Sequence, residues 1–310
     1  MKLLRTIKIY PEFTNGAVVA IGNFDGLHLG HQCLLNTLKN KSNEMGLPSV
    51  VIIFEPQARE FFLKEDAPPR ISTFSEKLKL LKLAGIDRVL CLRFNQKLAF
   101  MPPIDFAKQV LFTSLNTKYL IVGQDFRFGK NRQGDFDLLK QLGDSLSCTV
   151  NKCPDFVING AKISSTKVRE ALLSADFSKI EGYLGRKYSL SGRVICGNAQ
   201  GRKWGVPTAN LHLKQEKLSL HGVFCVKVIR SDASIYKGVA NIGNRPTING
   251  TKSILEVHIL DFSDSLYGEK IEVLFLHKLR DEVKFSSLDS LIAQIRQDVQ
   301  LARNFFQPHC

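Results

Sequence analysis

The chain runs to 310 residues, 44% of them hydrophobic and 23% charged, with a formal charge of +14. That composition is ordinary for a soluble globular protein, and the length is more than one small core requires, so two domains are expected. The charge admits nucleic acid, an anionic membrane or phosphorylated substrates as partners, but the lysines and arginines are scattered without a basic tail or stripe, which disfavours nucleic acid and favours small anionic ligands.

The first residues, MKLLRTIKIYPEF, hold no long apolar stretch and no small-residue cleavage site, and the longest apolar runs, SVVIIF and YLIV, are strand-sized. A cytoplasmic protein with no signal peptide and no membrane span is expected. Seven cysteines, at 33, 91, 148, 153, 196, 225 and 310, form no CxxC pair, and no histidine completes a zinc spacing with Cys148 and Cys153. Reduced, mostly buried thiols are the expectation.

To about residue 180, apolar runs alternate with helix-like stretches: AVVAIG, HQCLLNTLKNKSNEMG, SVVIIF, TFSEKLKLLKLAG, DRVLCLRF, PPIDFAKQVLFTSL, KYLIVG and DLLKQLGDS. This rhythm predicts an α/β domain, a parallel sheet with helices on both faces, in which ligands bind at the strand-to-helix turns. After the join SADFSKIEGYLGRKY the texture becomes YSLSGRVICG, GVFCVKVIRS, YKGVANIG, ILEVHILDF and KIEVLFLHKLR. These β-rich runs between Gly, Asn and Asp turns predict an antiparallel β-barrel. The tail SSLDSLIAQIRQDVQLARNFF has helical spacing, with Leu288, Leu291, Ile292, Ile295 and Val299 along one face. The expected domains are 1–182 and 183–310.

In the first half, the strand AVVAI leads into Gly22-Asn23-Phe24-Asp25-Gly26-Leu27-His28-Leu29-Gly30-His31 and then a helix. Glycines allow close backbone approach, the helix start presents free N–H groups, and His28 and His31 can donate hydrogen bonds to a phosphate. By itself an HxxH in a glycine-rich turn also fits an incidental pair, and a metal pair would lack further ligands. In ISSTKVREALL, Ser164, Ser165 and Thr166 stand at a predicted helix start with Arg169 one turn in, a set that serves as a cap or as a triphosphate site. VGQDFRFGKNRQGD supplies Phe126 and Phe128, flat apolar surface beside polar groups.

The ten-residue turn resembles the HxGH-type nucleotidyltransferase signature in the variant carried by bacterial FAD synthetases, and the Ser-Ser-Thr-x-x-Arg word follows it in the family's order. The resemblance implies FMN adenylyltransferase activity. It places ATP on Gly22, Phe24, Asp25, Gly30, Ser164, Ser165, Thr166 and Arg169, the transferring phosphate on His28 and His31, and the flavin on Arg70, Asp125, Phe126 and Phe128. Where the family commonly has His-Pro after Phe-Glu-Pro, this chain reads Gln57-Ala58.

The second half carries no P-loop, since GNAQGRK from Gly197 to Lys203 is not followed by Ser or Thr. It carries GNAQGRKWGVPTANL instead, in which Thr208 and Asn210 offer oxygen ligands suited to Mg²⁺. Glu256 and His258 in LEVHILDF are same-face residues of a predicted strand. The PTAN word after a Gly-Arg loop, with GVANIGNRPTING and LEVHILDF in order behind it, resembles riboflavin kinase. That resemblance implies ATP held by Gly197, Gly201, Arg202, Thr208 and Asn210, magnesium on Thr208 and Asn210, Glu256 as the general base, and Arg280 near the flavin. Together the two resemblances, to the prokaryotic bifunctional riboflavin kinase/FAD synthetase family, span residues 15 to 304. They imply riboflavin, FMN and ATP as ligands, with Mg²⁺ accompanying ATP; no oligomeric state follows from them.

Overall fold

The computed structural model describes residues 1–158, 160–196, 205–213, 217–247 and 250–307. Gly197, Gly201 and Arg202, expected at the nucleotide of the kinase half, and Cys310 lie outside the described residues. By internal contacts the chain forms two compact units, Met1–Pro68 with Phe74–Ser164, and Pro69–Thr73 with Ser165–Cys310. Among the described residues no helix is long and apolar enough to cross a membrane. Cys33, Cys91, Cys148, Cys153, Cys196 and Cys225 are all free thiols, with only Cys196 exposed.

The first unit follows the chain through β1 (Lys2–Leu4), β2 (Ala17–Ile21), α1 (Leu29–Met45), β3 (Ser49–Glu55), α2 (Ala58–Leu63), α3 (Phe74–Leu83) and β4 (Arg88–Arg93). It continues through α4 (Gln96–Ala99), α5 (Pro103–Phe106), β5 (Thr117–Val122), α6 (Phe136–Ser145), β6 (Thr149–Lys152) and the small hairpin of β7 (Val157–Ile158) and β8 (Ala161–Lys162). Six parallel strands lie in the order β1-β4-β3-β2-β5-β6. Successive residues of each strand feed two different cores. Val19, Val50 and Ile52 meet Phe106, Leu111 and Leu139 on one face, and Val18, Ala20 and Val51 meet Leu35, Leu38 and Leu81 on the other. A sheet buried on both faces requires the near-continuous apolar runs seen in AVVAI and SVVIIF.

One expected helix differs in detail. PPIDFAKQVLFTSL winds as an α-helix only over Pro103–Phe106 and takes π-type winding over Ala107–Ser114. There the Leu111 carbonyl accepts from Thr117 Oγ1 at 2.6 Å rather than serving a regular helical ladder alone.

The second unit begins with α7 (Ser165–Leu173) and α8 (Phe177–Leu184), followed by β9 (Ser189–Ile195), β10 (Ala209–His212), β11 (Gly222–Ile229), β12 (Ile235–Thr247), β13 (Gly250–Ile259), β14 (Lys270–Arg280) and α9 (Leu288–Phe306). The six strands close an antiparallel barrel in the order β10-β13-β12-β11-β14-β9. Phe224 and Phe275 cross inside it at 5.5 Å and 88°. Val168 and Leu172 of α7 and Ile180 and Leu184 of α8 belong to the same core. Outside the barrel, α9 covers Val223, Cys225 and Val239 with Val299, Ala302 and Phe306. Strand β11 is therefore apolar on both faces, and GVFCVKVI shows no clean alternation.

The tail helix forms, with Leu291, Ile292, Ile295 and Val299 of the expected face half-buried, but its first and its most buried positions differ from the apolar stripe. Leu288 is 53% exposed, and the buried positions are Asp298 and Ala302. A carboxylate enters that seam because an arginine of β14 meets it there, as described below.

Candidate active sites

In the first unit the sheet order reverses between β2 and β5, so the chain leaves their carboxyl ends in opposite directions and opens a crevice suited to a ligand. The Gly22–His31 turn leaves β2 at that point, and Gly123–Phe128 leaves β5. Two of the three segments singled out in the first half of the sequence thus rise from one switch point.

The Gly22–His31 turn is tightly wound. Phe24 and Leu27 adopt left-handed backbone (φ 47° and 40°), and so does Gly26 (φ 77°), in a segment where Phe24, Asp25, Leu27 and His28 are all buried. Such conformations on non-glycine residues persist only where surrounding structure enforces them, and they concentrate at ligand sites. Gln32 Nε2 donates to Leu27 O at 2.9 Å, and the Gly22 N–H donates to Ile52 O at 3.2 Å, tying the turn to α1 and β3.

His28 lies at the start of α1 rather than within it. It is the N-cap of α1, where its Nδ1 accepts from the His31 backbone N–H at 3.4 Å. Because Nδ1 accepts, Nε2 is the ring nitrogen of His28 that carries a hydrogen. The two imidazoles stack with centroids 3.7 Å apart, and Phe24 packs on His31 at 5.2 Å. Glycine at 30 leaves the His28 ring its place, since a Cβ there would stand 3.2 Å from it and press it aside by a few tenths of an ångström. Burial, reinforced by the positive charges of His28 and the buried Lys77, holds His31 well below the usual imidazole value, so His31 is neutral near pH 7. Its Nδ1 is shielded from solvent and has no hydrogen-bond partner among the described residues. The helix N-terminus, the His28 ring and the neutral His31 imidazole together make a site suited to an anion.

After β5, Phe126 and Phe128 stack at 5.6 Å and 15°. Phe128 is buried in the core, whereas Phe126 is partly exposed. Asp125 is exposed and bonded to Lys162, which holds its carboxyl below the usual range; Lys162 also meets Asp155 at 3.0 Å. A second aromatic group escaped the sequence reading. Phe54 at the end of β3 packs on Phe94 just past β4 at 5.8 Å, and Phe61 and Phe62 of α2 reach Phe94 at 5.4 and 5.8 Å, with Phe62 59% exposed. The FF pair of AREFFL in a polar stretch was the available signal. Gln57, in place of the family's histidine, caps α2 while its own N–H donates to Glu60 Oε2 at 2.8 Å.

In the second unit α7 begins at Ser165, with Ser164 immediately before it and Thr166 exposed in its first turn. Arg169 Nε donates to Pro69 O at 2.6 Å, which brings the Arg70 segment onto α7, a contact across 100 residues.

On the barrel, Asn210 of β10, Glu256 of β13 and Asn241 of β12 are cross-strand partners in one row. Neighbouring Leu255 and Val257 point into the core, so this polar row faces outward. Thr208 stands one residue ahead of β10 and is exposed. Two residues beyond Glu256, His258 Nδ1 meets Pro207 O at 2.8 Å, and three residues further on Asp261 accepts from Arg303 at 3.0 and 2.6 Å. Arg280 is committed to α9: its Nε and Nη2 reach both oxygens of buried Asp298 at 2.7–3.2 Å, and its Nη1 donates to Asp281 O at 2.9 Å. Among the described residues no cluster of three or more His, Cys, Asp or Glu side chains is placed to hold a metal.

Known protein families match both halves of the chain. The FAD synthetase family model matches residues 10–167 and the riboflavin kinase model residues 184–306. The chain is 44% identical over 310 residues to a bifunctional riboflavin kinase/FMN adenylyltransferase of Pseudomonas fluorescens and 42% identical over 306 residues to that of Haemophilus influenzae, covering 99% of each chain in both cases. A crystal structure from Streptococcus pneumoniae titled as a macrolide-efflux protein superposes with a TM-score of 0.81 at 30% identity, over 97% of this chain and 99% of that one. The chain belongs to the bifunctional riboflavin kinase/FMN adenylyltransferase family.

Proposed function

We propose that the chain phosphorylates riboflavin with ATP to give FMN and ADP, then transfers the adenylyl group of a second ATP to FMN, giving FAD and pyrophosphate. The observation that carries the reading is 42–44% identity spread over both halves of enzymes that bear both names. We assign the adenylyltransferase to residues 1–182 and the kinase to 183–310, which accords with one family model ending at 167 and the other starting at 184. The cytoplasm, which supplies ATP, is the proposed location.

In the kinase half, Glu256 accepts the proton of the riboflavin 5′-hydroxyl as its oxygen attacks the γ-phosphorus and the bond to the β-phosphate oxygen breaks. Thr208 and Asn210 suit Mg²⁺ by donor type, since both supply neutral oxygens. When bound there, Mg²⁺ would offset the phosphate charge. Gly197, Gly201 and Arg202 cover the nucleotide in this reading, and Arg280, braced by Asp298, borders the flavin.

In the adenylyltransferase half, an FMN phosphate oxygen attacks the α-phosphorus of ATP and pyrophosphate leaves. His28 and His31 hydrogen-bond the charge that develops, while Gly22, Phe24, Asp25 and Gly30 shape the cradle. Ser164, Ser165, Thr166 and Arg169 take the leaving phosphates. The flavin ring lies on Phe126 beside Phe128, Asp125 and Arg70.

Separate residue sets make the reading testable. Glu256→Ala abolishes FMN formation and leaves conversion of supplied FMN to FAD intact, and His28→Ala does the reverse. A variant that left both activities at parental rates would remove that residue from the mechanism.

A further inference from the structure

We propose that His258 is a positioning residue of the kinase half, one that fixes the peptide carrying Thr208 through its hydrogen bond to the Pro207 carbonyl. The inference rests on the reading of Thr208 and Asn210 as the groups that meet the nucleotide's magnesium.

The argument starts from what holds Thr208. The β10 ladder begins only at Ala209, which pairs with Val257, so Pro207 and Thr208 precede it. Pro207 has no N–H to anchor. Its carbonyl is the one backbone polar group it offers, and that carbonyl meets His258 Nδ1 at 2.8 Å. A carbonyl only accepts, so Nδ1 carries the hydrogen. The oxygen of Pro207 and the N–H of Thr208 belong to one rigid, planar peptide unit. Holding that oxygen therefore sets the plane from which the Thr208 side chain departs, one residue away.

His258 is itself held. It sits on β13 two residues from Glu256, and so on the same face as the base. The Arg303–Asp261 pair joining α9 to the end of β13 stands beside it. One imidazole thus links the turn bearing the proposed metal ligand to the strand bearing the proposed base. A ligand that must be placed to within about half an ångström needs such a second support.

The test uses the full-length protein with riboflavin and ADP, which lacks a γ-phosphate and permits no turnover. Mg²⁺ is titrated while riboflavin fluorescence is followed, and the Mg²⁺ concentration at half effect is the readout. Losing one anchoring hydrogen bond, His258→Leu raises that concentration about tenfold. His258→Asn, whose amide can donate from nearly the same place, stays within about threefold of the parent. Should the leucine variant not fold, His258→Asp makes the comparison with asparagine, having the same shape but an acceptor facing the carbonyl. FMN-to-FAD conversion stays at the parental rate in all three. A leucine or aspartate variant with the parental Mg²⁺ requirement, or an asparagine variant as impaired as leucine, overturns the proposal while leaving the metal ligands in place. If Thr208→Ala also keeps the parental Mg²⁺ requirement, the ligand assignment and this proposal fall together.

Discussion

Replacing Asp298 by alanine removes the carboxylate around which Arg280 is arranged. The Asp298 side chain is 4% exposed and that of Arg280 is 22% exposed. Asp298 accepts from Nε and Nη2 of the arginine, and Gln294 Nε2 adds a further bond at 3.0 Å. Removing one member of a fully buried pair costs about 3–5 kcal/mol because the other charge is stranded. Arg280 is not fully stranded, since it keeps the Asp281 carbonyl and some contact with water. The expected loss is therefore about 2–3 kcal/mol, just below that range. For a unit of this size it corresponds to a fall of about 5–10 °C in the thermal midpoint. Differential scanning calorimetry of the full chain, with the kinase transition identified by its shift on adding riboflavin and Mg·ADP, measures it. Asp298→Asn, which keeps shape and acceptor but not charge, falls between. A shift below about 2 °C for alanine would refute the view that this pair secures α9 to the barrel.

Other outcomes follow from the same contacts. Gly30→Ala pushes a methyl against the His28 ring, so FAD synthesis falls at least about tenfold with overall stability changed by less than about 1 kcal/mol, in assays with supplied FMN. His31 is held neutral in the fold, so the unfolded chain binds the extra proton once the pH drops below about 6.5, and stability is lost progressively downward from there. The first unit's thermal midpoint therefore falls on acidification, and His31→Gln flattens that dependence; an unchanged slope would contradict it. Burial pushes the Cys148 thiol up to about 12 and those of Cys153 and Cys225 up to about 11. A thiol reagent at about pH 8 labels Cys196 promptly and these three only on unfolding, as peptide mapping after alkylation will read.

Much of this architecture was legible because its signals are local. Runs such as AVVAI and SVVIIF are apolar throughout because parallel strands are covered on both faces, and their flanking turns carry the glycines that a strand-to-helix crossing needs. The ten residues from Gly22 to His31 act within one turn, so their order in the chain nearly equals their order in space. What escaped depends on contacts between distant segments. No spacing rule couples Arg280 to Asp298, and without that pair the tail helix reads as an apolar stripe beginning at Leu288. Nothing in PPRIST announces that Pro69 will accept from Arg169. Phe128 is core and Phe126 only half-buried although both belong to one FRF word, and their two-residue spacing, which puts them on one face of an extended segment, does not announce that difference.

The central claim is that one chain carries two ATP-dependent steps on one flavin. Purified protein incubated with riboflavin and Mg·ATP, with flavins separated by chromatography over time, tests it most directly. The account predicts FMN appearing first and FAD accumulating at its expense. A mixture in which riboflavin remains the sole flavin would contradict it.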